Sequence, residues 1–231
     1  MKRLATMIIG SIALVAFVGT ASAALRSPQV TVNGGTLQGY LNGVGESINV
    51  STDQQDIQRW QSTVSNNSTF TIQVEFAGNA GTNTYGIYNA SLGAPPLYQC
   101  FPGAATNAWF CVCSFRTAPT RVTVSLFDNT AAFQGQTTYL GADRNDFGFY
   151  LQQNPGTVLY SQDARNPGAA AQALTFAGTG INAGSWWICF EDQTQAQGSD
   201  YDFDDAVLFC ESLTPTPVNK TTWGDLKARF K

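Results

Sequence analysis

From Gln29 to Phe209 hydrophobic and polar residues alternate in short runs, the two-residue period of strands that bury one face. Thr69 to Phe76 (TFTIQVEF) puts Phe70, Ile72, Val74 and Phe76 on one side, and Arg121 to Phe127 does so with Val122, Val124 and Leu126. Shorter runs of this kind fall at Gln29 to Val32, Leu37 to Leu41, Tyr85 to Tyr88, Trp109 to Phe115, Phe147 to Leu151, Ala173 to Phe176 and Trp187 to Phe190. Turn chemistry separates them at Asn33-Gly34-Gly35, Asn42-Gly43, Pro95-Pro96, Pro102-Gly103, Asn154-Pro155-Gly156 and Asn166-Pro167-Gly168. Many short strands at this spacing predict an all-β chain, an antiparallel β-sandwich of jelly-roll type. Only Thr52 to Trp60, through Ile57 and Trp60, hints at a helical turn.

The two ends break the pattern. Lys2 and Arg3 precede the apolar run Met7 to Val18, and Ala21-Ser22-Ala23 has the small-residue pattern of a cleavage site, so residues 1–23 read as a secretory signal peptide. That places the protein outside the cytoplasm, secreted or at the cell surface. The apolar run is short for a bilayer span of about 20 residues, and no second long apolar run follows, so no transmembrane segment is expected in the mature chain. Residues 24–212 form one expected domain, and Leu213 to Val218 (LTPTPV) reads as a Thr/Pro linker. In residues 219–231, Trp223, Leu226 and Phe230 recur at helical spacing, predicting a short basic amphipathic helix. This tail carries Lys220, Lys227, Arg229 and Lys231 against Asp225, which suggests a separable docking or sorting element.

Composition removes several classes of function. The chain of 231 residues contains no histidine, which eliminates Ser-His and Cys-His catalytic pairs and the usual zinc ligand. Setting aside Lys2 and Arg3 of the 12 basic residues leaves 10 against 16 acidic ones, a net charge of −6 that argues against nucleic acid as a partner.

The acidic residues are also unevenly placed. Between Trp186 and Cys210 (WWICFEDQTQAQGSDYDFDDAVLFC) lie Glu191, Asp192, Asp200, Asp202, Asp204 and Asp205, with no lysine or arginine among them. Folding this segment concentrates negative charge that calls for a cation, a distant base or exposure to water, and a hard cation with oxygen ligands such as calcium is the leading candidate. Asp200, Asp202 and Asp204 share one face if extended, or surround one ion if looped. An EF-hand register from Asp200 to Glu211 fails, because Asp205 occupies its glycine position and Ala206 to Cys210 reads as a strand. A pair such as Glu191 and Asp204 also suits glycoside hydrolysis, but without a second acidic constellation the expectation is that the protein is not an enzyme. Carbohydrate binding is the main alternative, with Trp186, Trp187 and Tyr201 as candidate stacking residues.

All five cysteines follow the signal peptide. Cys189 and Cys210 each alternate with apolar neighbours, Ile188 and Phe190 or Val207 and Phe209, so both can point the same way, and a Cys189–Cys210 disulfide closing the acidic loop is expected. Cys100 is expected to pair with Cys111 or Cys113 across the turn at Pro102-Gly103.

Three blocks resemble a bacterial secreted family: Phe70 to Asn89 (FTIQVEFAGNAGTNTYGIYN), Asn145 to Pro167 (NDFGFYLQQNPGTVLYSQDARNP) and Phe190 to Val207 (FEDQTQAQGSDYDFDDAV). It is a domain of unknown function found in exosortase-sorted proteins that end in a Pro-Glu-Pro signal. Its blocks run E-x-A-G-N-x-x-x-N-x-F-G-I-Y, then F-G-F-Y-L, then F-E-D with a glycine-containing loop and D-x-D-Y-N-D. The resemblance spans about residues 30–212 and departs in two places: Asp204 stands where the family has Asn, and TPTPVNKTTWGDLKARFK replaces the Pro-Glu-Pro motif and its helix. It implies a secreted β-domain of the cell surface or extracellular matrix; the expectation for the chain as a whole is a structural or adhesive role, with extracellular polysaccharide or surface proteins as partners.

Overall fold

The computed structural model describes residues 24–63, 66–75, 81–153 and 156–216. The expected signal peptide and the basic tail of residues 219–231 lie outside them. A helix, α1 (Thr36–Gly43), is followed by thirteen strands among the described residues: β1 (Trp60–Ser62), β2 (Asn67–Val74), β3 (Thr84–Asn89), β4 (Leu97–Phe101), β5 (Phe110–Thr117), β6 (Thr120–Phe127), β7 (Phe133–Leu140), β8 (Phe147–Gln152), β9 (Val158–Tyr160), β10 (Ala173–Ala177), β11 (Trp186–Phe190), β12 (Ala206–Glu211) and β13 (Leu213–Pro215). They form two antiparallel sheets, one ordered β13-β1-β8-β3-β4 with β9 on β8, the other β10-β11-β12-β2-β5-β6-β7. Packed face to face they make the expected β-sandwich.

Alternation in the sequence becomes burial between the sheets. Phe70 and Ile72 from β2 meet Phe147, Phe149 and Leu151 from β8 in one core, and Trp60 lies at its centre with no exposed surface. Its ring stands edge-on to Phe149 at 6.2 Å and to Trp186 at 5.1 Å, the T-shaped geometry that adds about 0.5–1.5 kcal/mol to burial.

A third layer covers the outer face of the second sheet at its β10–β12 end, where α1 and residues 24–58 pack. Leu37 to Leu41, expected as a strand, is helical, because Leu37, Tyr40 and Leu41 fall at i, i+3 and i+4, and that stripe packs with Leu174, Phe176, Trp187 and Val207. Gly34, at φ 78°, makes the left-handed turn that leads into the helix. The expected helical turn at Thr52 to Trp60 is instead a turn closed by Asp53 N–H on Asn49 C=O, and then an extended segment in which Gln55 bridges Leu25 and Thr175.

Two further expectations are corrected. Leu213 to Val218 is not simply a linker: Leu213–Pro215 forms β13, paired with β1 in the register Trp60↔Pro215, and Leu213 is buried. Pro215 is tolerated because β13 is an edge strand. The Cys189–Cys210 disulfide does not form, since Cys189 pairs with Val207 and Cys210 with Trp186, three residues further along, which puts the two side chains on opposite faces. Cys189 packs under α1, whereas Cys210 lies between the sheets. Both faces of this sheet end are buried, so apolar neighbours do not fix which way a cysteine points.

Candidate metal centre

The acidic segment is the connection between β11 and β12. The last pair of their ladder is Phe190↔Ala206, so Glu191 and Asp192 leave the sheet directly beside the point where Asp204 and Asp205 return to it. Asp205 Oδ2 accepts the Asp192 N–H at 2.7 Å and so ties the two ends together. Between them, Thr194 and Gln197 close a reciprocal capping box on one helical turn, and Gly198 reverses the chain at φ 97°. Asp200 to Asp205 then runs neither as a strand nor as a helix: Tyr201 and Phe203 both take left-handed φ, 59° and 56°. Phe203 is wholly buried against the layer that holds α1, and Asn33 secures the loop by donating its N–H to Tyr201 C=O and its Nδ2 to Asp200 C=O, both at 2.8 Å.

All six acidic residues line one open pocket of about 520 Å³, joined by Thr36, Gln193 and Gly198. Two overlapping groups have ligand oxygens within 4.8 Å of one another, Glu191 with Asp200 and Asp202, and Glu191 with Asp192 and Asp205. Glu191 belongs to both. Asp204 is in neither, and the Thr36 hydroxyl at the start of α1 donates to it.

Burial decides the electrostatics. Glu191 is 1% exposed, Asp192 2% and Asp204 3%, and both Glu191 Oε2 and Asp204 Oδ2 are buried without a donor. A buried acceptor left without a donor costs about 1–3 kcal/mol, more when it carries charge. Glu191 is pushed up to about 7, first by burial and then by the charges of Asp200 and Asp202, although the Ser199 hydroxyl and the Phe203 N–H oppose the shift. Asp204 rises to about 6 through burial and Asp202, and Asp205 to about 8 through burial, Asp192 and Glu191. The push continues behind the pocket, where Asn83 Nδ2 donates to Asp192 Oδ2 at 2.9 Å and Glu75, bound to the Tyr85 hydroxyl, is raised to about 7 mainly by burial.

No basic side chain among the described residues answers this charge. Arg26 pairs with Asp163 and Arg59 with Asp146, Arg144 and Arg165 reach backbone carbonyls, Arg116 and Arg121 face each other across β5 and β6, and none lines the pocket. The donor set is all oxygen, which suits a hard cation.

The candidate sugar-stacking residues are placed elsewhere. Trp187 is buried and its Nε1–H donates to Glu46, Trp186 packs on Trp60, and Tyr201 is half-buried against the α1 layer. Sequence reasoning did not find Asn33, Thr36, Gln153 or Asn83 as supports of the site. Gln153 donates to Asp192 C=O at 2.5 Å from β8's trailing loop. The one available signal was helical spacing after Asn33-Gly34-Gly35, which puts Thr36 at a helix start. No family model, curated protein or solved structure matches the chain.

Proposed function

We propose that this pocket binds calcium and that the protein is a secreted β-sandwich of the cell surface or extracellular matrix with a structural or adhesive role. One observation carries the metal reading: Glu191 Oε2 is buried without a donor at the point shared by two groups of carboxylates. An ion there replaces the missing donor and discharges the repulsion that holds Glu191, Asp204 and Asp205 above the ordinary carboxylate range. Calcium suits the pocket better than magnesium, because it takes six to eight oxygens in flexible geometry whereas magnesium demands a small octahedral shell. Asp200 and Asp202, on the outer side, supply the ligands that close over the ion, and the open mouth leaves room for water or for an oxygen of an extracellular polysaccharide or surface protein.

The signal-like residues 1–23 and the resemblance to the exosortase-associated secreted family support the location. Carbohydrate binding by ring stacking has no support at this pocket, which no aromatic side chain lines among the described residues. Metal analysis of the purified protein followed by calorimetric titration of stripped protein tests the proposal: calcium binds, magnesium binds more weakly, and Glu191→Gln removes binding. A glycan array probed with and without calcium then separates a metal-bridged polysaccharide contact from a purely structural ion.

A further inference from the structure

Away from the acidic pocket, the structure gathers three thiols in the core between the sheets. Cys100 comes from β4, the edge of the first sheet, and Cys111 and Cys113 come from β5 of the second. All three are buried, with their sulfurs within 4.8 Å of one another. Cys100 Sγ is 3.8 Å from Cys113 Sγ, and Cys113 Sγ is 4.0 Å from Cys111 Sγ. The surroundings are apolar, with Ile87, Phe101 and Val124 in the same core.

We propose that in the mature protein Cys100 and Cys113 are joined by a disulfide that staples the two sheets, while Cys111, Cys189 and Cys210 remain thiols. Three arguments select this pair. Cys100 Sγ is in direct contact with Cys113 Sγ, at 3.8 Å. A Cys111–Cys113 bond has to span two residues of one strand, whose Cα atoms are about 6.7 Å apart, the outer limit for a disulfide. A neutral disulfide also suits an apolar core, whereas a thiolate cluster around a soft metal ion buries net charge with no cationic side chain beside it. Burial pushes Cys111 and Cys113 well up, while hydrogen bonds from Cys111 and Cys113 hold Cys100 down in the closed core.

Because the folded core admits no oxidant, the bond forms as the chain folds. The Cys100 thiolate attacks a disulfide donor, either a small-molecule disulfide or an oxidised dithiol protein, and releases one donor thiol. The Cys113 thiolate then displaces the second. Two protein thiols are oxidised, one donor disulfide is reduced to two thiols, and both protons pass to the released thiolates. Its occurrence in the cell rests on the secreted reading, but the chemistry does not.

The full chain is refolded in a mixture of oxidised and reduced glutathione, quenched with an alkylating agent and digested without reduction. The expected result is one cross-link, 2 Da below the sum of its peptides, with fragmentation placing the alkyl group on Cys111. Reduction should lower the melting temperature by roughly 6–12 °C, as a loop of this size implies. Cys111→Ala should keep both the cross-link and the reduction-sensitive melting, and Cys113→Ala should lose the Cys100–Cys113 link. Five alkylated cysteines, a link at Cys111, or thiols protected by a metal ion with no loss of 2 Da would each overturn the proposal. The link formed in buffer together with an uncleaved leader in cells would support it while overturning the secreted reading.

Discussion

Two buried glutamates on opposite ends of Trp187's strand have opposite surroundings. Glu46, just after α1, is saturated: Oε2 accepts the Thr179 N–H at 2.7 Å and its hydroxyl at 2.5 Å, and Oε1 accepts Asn182 Nδ2 at 2.7 Å and Trp187 Nε1 at 2.8 Å. Four donors overcome the cost of burial and hold its pKa below the ordinary value. Glu191 is equally buried, yet one of its oxygens has no donor, its neighbours are acids, and its pKa rises to about 7. The protein thus completes one carboxylate with its own donors and leaves the other open. The first is a structural clamp between α1 and the β10–β11 turn, and the second is the carboxylate that an ion completes.

If this contrast is right, removing the two charges has opposite effects. Glu46→Gln replaces one oxygen by a donor that faces other donors, so it should lower stability by about 2–4 kcal/mol, with or without calcium, as read by urea denaturation. Glu191→Gln should raise the stability of metal-free protein at pH 8, by up to about 3 kcal/mol, because it removes a charge whose pKa is elevated. The same variant should lose all response to calcium. A Glu191→Gln protein less stable than the metal-free parent would place that carboxylate in the same class as Glu46.

The pH dependence sharpens the contrast. Glu191, Asp204 and Asp205 have folded values of about 7, 6 and 8, above those of the unfolded chain. The unfolded state therefore binds fewer protons across this window, and metal-free stability should fall as pH rises from about 4 to 8. Glu46 works in the other sense: its contribution is present above the unfolded value and lost as pH falls through its lowered one. Melting curves from pH 3 to 9 should show a maximum at mildly acidic pH in chelator and a shift of that maximum upward in calcium.

Smaller effects follow within the pocket and beyond it. Asp204→Asn keeps an amide oxygen, so it should retain calcium binding better than Asp202→Ala, with titration calorimetry giving the order. Deleting residues 219–231 should move the melting temperature by less than about 2 °C if the tail is a separable element. Unfolding of the truncated chain would make the tail part of the core.

The six carboxylates were legible in the sequence because they are close together along it and no base interrupts them. The sandwich was legible because Phe70, Ile72 and Val74 keep a strict two-residue period. What the sequence hid depended on distant contacts or on two-sided burial. Glu46 meets donors more than 130 residues away, and nothing near it marks a clamp. Leu37 and Leu41, four apart, fit both periods in so short a run; Tyr40 fits only the helical one, and packing against Trp187 and Val207 decides for the helix. Cys189 and Cys210 were misread because apolar residues flank each on a strand buried on both sides.

The most direct test of the account is the melting temperature of metal-stripped protein in chelator and in millimolar calcium at pH 8. An ion that binds only the folded state adds roughly 2.7 kcal/mol at a hundredfold excess over Kd, so the account predicts a rise of about 5–10 °C that magnesium reproduces only in part and Glu191→Gln abolishes. Superimposable curves in calcium and chelator would contradict it, and would make the pocket a cluster of metal-free carboxylates rather than a metal centre.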